Sequence, residues 1–109
     1  MQSVAALNDG MRQIVSLLVD VFQPVSVILF GSVATGAATS DSDLDFAVIV
    51  RERTDYRQRM TEVNRKLSGM DVDVDVVVVP QDRFEMMKDI IGWIEHSINK
   101  YGLIAYHER

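Results

Sequence analysis

The chain has 109 residues and a formal net charge of −5, with 48% hydrophobic and 25% charged residues. This length predicts one domain spanning residues 1–109, and the composition is ordinary for a globular protein. The acidic balance argues against broad nucleic-acid binding, which requires a basic surface. Because the sequence has no cysteine, no recognisable signal peptide and no apolar run of transmembrane length, we expect a cytoplasmic protein that is not membrane-bound.

The N-terminal half predicts one helix followed by two strands. Apolar residues recur with helical spacing over residues 3–22, which indicates an amphipathic helix. Two apolar runs rich in β-branched residues then predict buried strands at Val25–Phe30 and Leu44–Val50. Between these strands, Gly31 and Ser32 predict a turn.

The C-terminal half continues the alternation of helices and strands. The predicted elements are a helix from Tyr56 to the residues before Gly69, a strand at Asp71–Val79, a short helix around Phe84 and Met87, a longer helix from Ile90 to Tyr101, and an edge strand at Leu103–Tyr106. We therefore predict an α/β (α+β) fold. It contains a small mixed sheet of three to four strands, with helices mainly on one face.

Two carboxylates mark the start of the second predicted strand. Asp43 and Asp45 are two positions apart, so both side chains point to the same face, about 6–7 Å from each other. If the site is partly buried, two like charges at that spacing repel by about 2–3 kcal/mol at an effective dielectric near 20. A bound divalent cation would reverse the sign of that interaction. The spacing therefore indicates a metal site.

A third carboxylate is predicted on the following strand, in the run DVDVDVVVVP. Asp71, Asp73 and Asp75 point to one face, which becomes apolar at Val77 and Val79. Solvation is the alternative interpretation of such an acidic face. Since Asp75 adjoins the apolar half, where an unpaired carboxylate is costly, we predict Asp75 as the third ligand and Asp73 as the second choice.

Converging carboxylates suit Mg²⁺, which takes oxygen ligands, keeps several waters and shares its coordination with substrate phosphates. Two such ions can stabilise the attacking and leaving oxygens of a displacement at phosphorus. Gly31 and Ser32 add donors for an anion, because glycine lets the backbone approach a phosphate closely and Ser32 offers a hydroxyl. The pattern as a whole predicts chemistry at a phosphate group.

The stretch FGSVATGAATSDSDLDF, with a further aspartate on a later strand, resembles the minimal nucleotidyltransferase domain of the DNA polymerase β-like superfamily. The mark of that family is Gly-Ser, a gap of about ten residues, and then Asp-x-Asp between hydrophobic residues. The resemblance covers roughly residues 14–79, and the closing INKYGLIAY is similar to the end of the small stand-alone members. It implies a nucleotidyltransferase fold and the transfer of a nucleoside monophosphate, AMP in the first instance, from ATP or another NTP to an acceptor hydroxyl.

The resemblance also implies roles for individual residues. Gly31 and Ser32 would hold the triphosphate, and Asp43 and Asp45 would ligate both Mg²⁺ ions. Asp75 would ligate the catalytic metal and help to deprotonate the acceptor. Ser42 is a further candidate for nucleotide binding, and its hydroxyl can alternatively bond the backbone beside Asp43.

One feature departs from the family pattern. Many small members carry an arginine just after Gly-Ser, where this chain has Val33, Ala34 and Thr35. The triphosphate charge would then be met by metal, backbone amides, or a more distant arginine such as Arg51 or Arg53.

The predicted domain has no second lobe, so we expect a partner protein to complete the site. The resemblance implies that small members pair with a helical protein, which in one group is a HEPN-type toxin that the transferase, as antitoxin, modifies with AMP. The candidates for such a contact are Trp93, the Met86-Met87 pair and the basic stretch of Arg51, Arg53 and Arg57, and self-association stays open. A protein that neutralises its partner by contact alone, with little or no catalysis, is the alternative function.

Overall fold

The computed structural model describes residues 7–31, 43–70 and 72–108. Two residues predicted to contact nucleotide, Ser32 and Ser42, lie outside the described residues, as does Asp71. The helices are α1 (Asp9–Phe22), α2 (Arg57–Leu67), α3 (Gln81–Met87) and α4 (Ile94–Tyr101), and the strands are β1 (Ser26–Phe30), β2 (Leu44–Val50), β3 (Val74–Pro80) and β4 (Leu103–His107). None of the helices in these ranges has the length and apolar character that a transmembrane segment requires.

The four strands form one mixed sheet in the order β3-β2-β1-β4. β1 pairs antiparallel with β2 and with β4, whereas β2 and β3 are parallel. The end of β1 therefore lies beside the beginnings of β2, β3 and β4. We call this edge, where Phe30 pairs with Asp45 and Asp45 with Asp75, the acidic end of the sheet.

The sheet separates two apolar cores. On the first face, α1 and α2 pack on the alternating residues of the strands, and Ile14, Phe46 and Val63 are fully buried there. On the second face, the two shorter helices, α3 and α4, contribute Phe84 and Ile98 to a smaller core. The longer helices thus lie together on one face. The predicted fold class is confirmed, with the added finding that short helices cover part of the other face.

A side-chain cap fixes the start of α1 eight residues into the chain. Asn8 accepts a hydrogen bond of 2.8 Å from the backbone N–H of Met11, and Asp9 places a negative charge in the first turn. The helix therefore begins at Asp9, later than the start of the predicted 3–22 range, of which residues 3–6 lie outside the described part. Its end at Phe22 agrees with the prediction.

The helix predicted from Ile90 to Tyr101 begins only at Ile94, so its first turn was wrong. Gly92 has a φ of 102°, a conformation that ends regular helix and that side-chain-bearing residues rarely adopt. Ile90 and Ile91 consequently lie in a turn and are exposed. The spacing of Ile90, Ile91 and Ile94 in the sequence is that of a helix, but the first two residues are not helical in the structure.

The third strand also begins later than predicted, at Val74 instead of Asp71. Pairing with β2 explains this boundary, because β2 starts at Leu44 and Leu44 is the register partner of Val74. Just before the strand, the backbone carbonyl of Asp73 accepts a hydrogen bond of 2.9 Å from the N–H of Leu44.

Candidate functional site

Asp45 and Asp75 are direct register partners on the adjacent parallel strands β2 and β3. Neighbouring strands lie about 4.8 Å apart, so the two carboxylates leave the sheet side by side. Both side chains point to the second face, because residues two apart on a strand share a face. Asp45 lies two residues before the buried Ala47 of that core, and Asp75 lies two residues before Val77. Asp43, two residues before Asp45 and just outside β2, is exposed at the same end.

The position of Asp45 in this arrangement changes its pKa. Partial burial raises the pKa of Asp45, and the negative charges of Asp75 and Asp43 raise it further. Among the described residues, the ion pairs all involve other carboxylates, so no cation offsets these three charges. The acidic end of the sheet therefore favours a positively charged ligand.

Gly31 directly follows β1 and lies against Asp45. It has a φ of 76°, and a Cβ added to it would overlap the carboxylate of Asp45. The sequence predicted glycine here for the approach of a phosphate. The contact with Asp45 was not predicted, because it depends on the β1–β2 register, which places Phe30 opposite Asp45.

The two arginines considered as distant partners for a triphosphate lie at the wrong end of the sheet. Arg51 follows the last residue of β2, which at about 3.3 Å per residue is about 20 Å from the acidic end. It pairs with Glu108 and donates a hydrogen bond of 3.2 Å to the carbonyl of Gln23. Arg53 pairs with Asp82 at 2.9 Å. Both arginines therefore have structural partners far from the acidic end.

The donor chemistry of the site fits a hard divalent cation, although the described residues form no ready-made metal centre. Within the described ranges, no three His, Cys, Asp or Glu side chains come together closely enough to hold an ion. Three carboxylates that repel each other are expected to stay apart unless a cation balances their charges. The paired oxygens of Asp45 and Asp75 on two strands, with Asp43 beside them, are ligands that suit Mg²⁺.

A large cleft among the described residues lies elsewhere. It has a volume of about 570 Å³ and lies on the first face between α2 and β3, with Tyr56, Met60, Val76 and Val78 in its wall. Its wall contains no acidic side chain, so it is not the site that the carboxylates form.

The family model "Polymerase beta, Nucleotidyltransferase" matches residues 12–98, which include Gly31, both aspartates of the Asp-x-Asp pair and Asp75. The chain belongs to this family. A search of curated proteins found no match.

Several solved structures resemble this nucleotidyltransferase domain in fold. A mutant of the toxin–antitoxin complex MntA–HpeT is 25% identical with a TM-score of 0.64, and the match covers 95% of this chain and 76% of that one. A toxin–antitoxin complex with AMP-PNP is 22% identical with a TM-score of 0.61, over 89% and 73% of the two chains. A complex of a tri-AMPylated Shewanella oneidensis HEPN toxin with an MNT antitoxin is 22% identical with a TM-score of 0.58, over 89% and 69%.

These findings confirm the predicted membership of the nucleotidyltransferase superfamily and the similarity to antitoxin members that pair with HEPN toxins. They also confirm the predicted fold. The roles of Asp43, Asp45, Asp75 and Gly31 stay predictions, which the geometry above supports.

Proposed function

We propose that this chain is a Mg²⁺-dependent nucleotidyltransferase that moves AMP from ATP to a hydroxyl group on a HEPN-type partner protein, as the antitoxin of a toxin–antitoxin pair. The observation that carries this proposal is the register pairing of Asp45 with Asp75, with Asp43 and Gly31 beside them at one end of the sheet. Membership of the nucleotidyltransferase family supports the reaction class. The AMPylated toxin in one structural neighbour and the AMP-PNP in another support AMP as the transferred group.

The carboxylates have distinct tasks in this proposal. Asp43, Asp45 and Asp75 hold the metal ions, and Gly31 and Ser32 present backbone and hydroxyl donors to the triphosphate. When bound, two Mg²⁺ ions would neutralise the triphosphate and polarise the phosphorus that is attacked. The Asp45 carboxylate lies against Gly31, and the backbone of Asp45 is in register with that of Asp75.

Asp75 is the proposed proton acceptor. The oxygen of the acceptor hydroxyl forms a bond to the α-phosphorus, and the bond from that phosphorus to the bridging oxygen of the β-phosphate breaks. Pyrophosphate leaves with the bonding electron pair, and the hydroxyl proton passes to a carboxylate oxygen of Asp75. Asp75 suits this task because it is exposed on the outermost strand of the sheet, where an acceptor can approach.

The direct test is transfer of labelled AMP. The chain is incubated with ATP labelled at the α-phosphate, Mg²⁺ and the protein encoded in the neighbouring reading frame, and the label on that protein is measured. We expect labelling that requires Mg²⁺ and disappears in an Asp43→Asn/Asp45→Asn variant. Tight binding of the partner without any labelling would instead establish the alternative, a protein that neutralises its partner by contact alone.

A further inference from the structure

The exposed apolar side chains of this protein are concentrated on one surface. Among the described residues, every large hydrophobic side chain that is exposed lies between residues 86 and 101; the six are Met86, Ile90, Ile91, Trp93, Ile94 and Tyr101. We call these six residues the apolar surface. Single exposed apolar residues are common on proteins, but such a cluster is typical of a contact with another molecule.

Helical geometry makes this surface continuous. Ile94 and Tyr101 are seven residues apart on α4, so they lie on the same side of the helix, at the exposed edge of the stripe that also contains the buried Ile98. At the other end, the guanidinium of Arg83 lies 5.4 Å from the ring centre of Trp93, which joins α3 to the start of α4. The surface therefore runs along the outside of α3, the turn and α4.

A partly buried ion pair links α3 to α4 beneath this surface. Arg83 donates a 2.8 Å hydrogen bond from Nε to Oε2 of Glu95, whose side chain is 2% exposed. The other carboxylate oxygen of Glu95 is buried without a hydrogen-bond partner within the described part of the chain. A carboxylate buried in this way is costly unless it is paired, so the pair ties Arg83, and with it the Trp93 ring, to α4.

The apolar surface lies on the same side of the sheet as the carboxylates. α3 and α4 pack on the second face, to which Asp45 and Asp75 point. α4 also runs toward the acidic end, because Tyr101 is two residues before Leu103, which pairs with Leu29 next to Phe30. A molecule bound to the apolar surface would therefore extend over the face that carries the carboxylates.

We propose that this surface binds the protein that receives the nucleotidyl group, and that the bound partner supplies the second wall of the active site. This inference rests on the proposed function, since it places the acceptor protein of that reaction. A second copy of this chain is disfavoured as the occupant, because each copy carries a formal net charge of −5 and the copies repel each other. An acceptor protein with a complementary apolar helical face fits both the shape of the surface and its position beside the carboxylates.

A substitution at Ile91 can test whether this surface binds a partner. Ile91 is 83% exposed and lies in the turn, so Ile91→Asp should disturb a partner contact without disturbing the core. Gln58→Asp is the matched control, because it adds the same charge at an exposed position on α2, on the opposite face of the sheet. Both variants should unfold thermally at the wild-type temperature.

Calorimetry with the protein encoded in the neighbouring reading frame measures the contact. We expect Ile91→Asp to weaken partner binding at least tenfold, with Gln58→Asp equal to the wild type. Mg²⁺-dependent binding of AMP-PNP to the isolated chain should be the same in all three proteins. Wild-type affinity for the partner in Ile91→Asp would overturn the proposal, as would a wild-type dimer that Ile91→Asp converts to monomers in sedimentation.

A transfer assay separates this inference from the proposed function. If the partner binds through Ile91 but receives no AMP, the docking surface stands and the proposed reaction fails. If the wild type and Ile91→Asp transfer AMP at the same rate and with the same affinity for the partner, the reaction stands and the docking surface fails. A partner that binds none of the three proteins would overturn the docking surface as well.

Discussion

Gly31 and Asp45 occupy complementary space at the acidic end of the sheet. The absence of a side chain at Gly31 leaves the volume that the Asp45 carboxylate fills, and the φ of 76° at Gly31 places its Cα against that carboxylate. The glycine of the Gly-Ser turn therefore positions a predicted metal ligand, in addition to the proposed role in binding phosphate.

This relationship predicts a coupling that stability measurements can detect. Gly31→Ala should destabilise the fold by about 1–2 kcal/mol through its left-handed backbone alone, with an additional cost from the overlap with Asp45. In an Asp45→Ala background the additional cost should vanish, giving a coupling energy of about 0.5–3 kcal/mol between the two sites. Urea unfolding of the four proteins measures this coupling.

Gly92→Ala is the matched control for that cycle. Gly92 also has a positive φ, 102°, but an added Cβ would meet nothing within 4 Å. Its cost should therefore be the same with and without Asp45. Equal costs for Gly31→Ala in the two backgrounds would show that the carboxylate does not fill the space beside Gly31.

The third strand offers a matched pair of aspartates. Asp75 is the register partner of Asp45, whereas Asp73 precedes the strand. We expect Asp75→Asn to lower the rate of AMP transfer by about 100-fold or more, because it removes both a metal ligand and the proton acceptor. Asp73→Asn should keep most of the activity, and the transfer assay compares them directly. A dead Asp73→Asn beside an active Asp75→Asn would reverse the assignment.

The partly buried ion pair between Arg83 and Glu95 predicts an asymmetric effect on stability. Arg83→Ala would leave the Glu95 carboxylate buried and unpaired, so the free energy of unfolding should fall by about 1–3 kcal/mol. The loss is small because the Arg83 side chain is 40% exposed and water screens part of the interaction. In an Arg83→Ala background, Glu95→Gln should recover part of that loss, since a neutral amide is less costly to bury. No recovery would indicate that Arg83 acts through its contact with Trp93 instead.

The cap of α1 can be tested with a single substitution. Asn8→Ala removes the acceptor of the Met11 N–H and should destabilise the protein by about 0.5–2 kcal/mol. Asn8→Asp retains an acceptor at the same position and should have the wild-type stability or more, because a negative charge there interacts favourably with the helix N-terminus. Thermal unfolding distinguishes the two substitutions, and equal loss in both would show that the cap is not used.

Much of the architecture could be predicted from the sequence because local pattern and packing agree. Spacing by two residues fixes which side chains of a strand share a face before any contact is known. One such set is Asp45, Ala47 and Ile49, and the other is Asp75, Val77 and Val79. The helical crossover between these strands favours parallel pairing, and in that pairing the two acidic starts meet.

Other features depend on tertiary contacts that the sequence does not contain. The spacing of Ile90, Ile91 and Ile94 mimics an amphipathic helix, and only the conformation of Gly92 reveals the turn. Arg51 is close to Asp45 in sequence, but an extended strand carries it to the far end of the sheet, where Glu108 pairs with it. A strand of that length separates in space two residues that are close in sequence.

The most direct test of this account is whether Asp43, Asp45 and Asp75 together bind metal and nucleotide. Isothermal titration of Mg²⁺ with AMP-PNP into the wild type, the Asp43→Asn/Asp45→Asn variant and Asp75→Asn measures it, with Asp73→Asn as the control that keeps the site. The account predicts binding in the wild type and in Asp73→Asn, weaker binding in Asp75→Asn, and none in the double variant. Equal binding by the double variant and the wild type would contradict it.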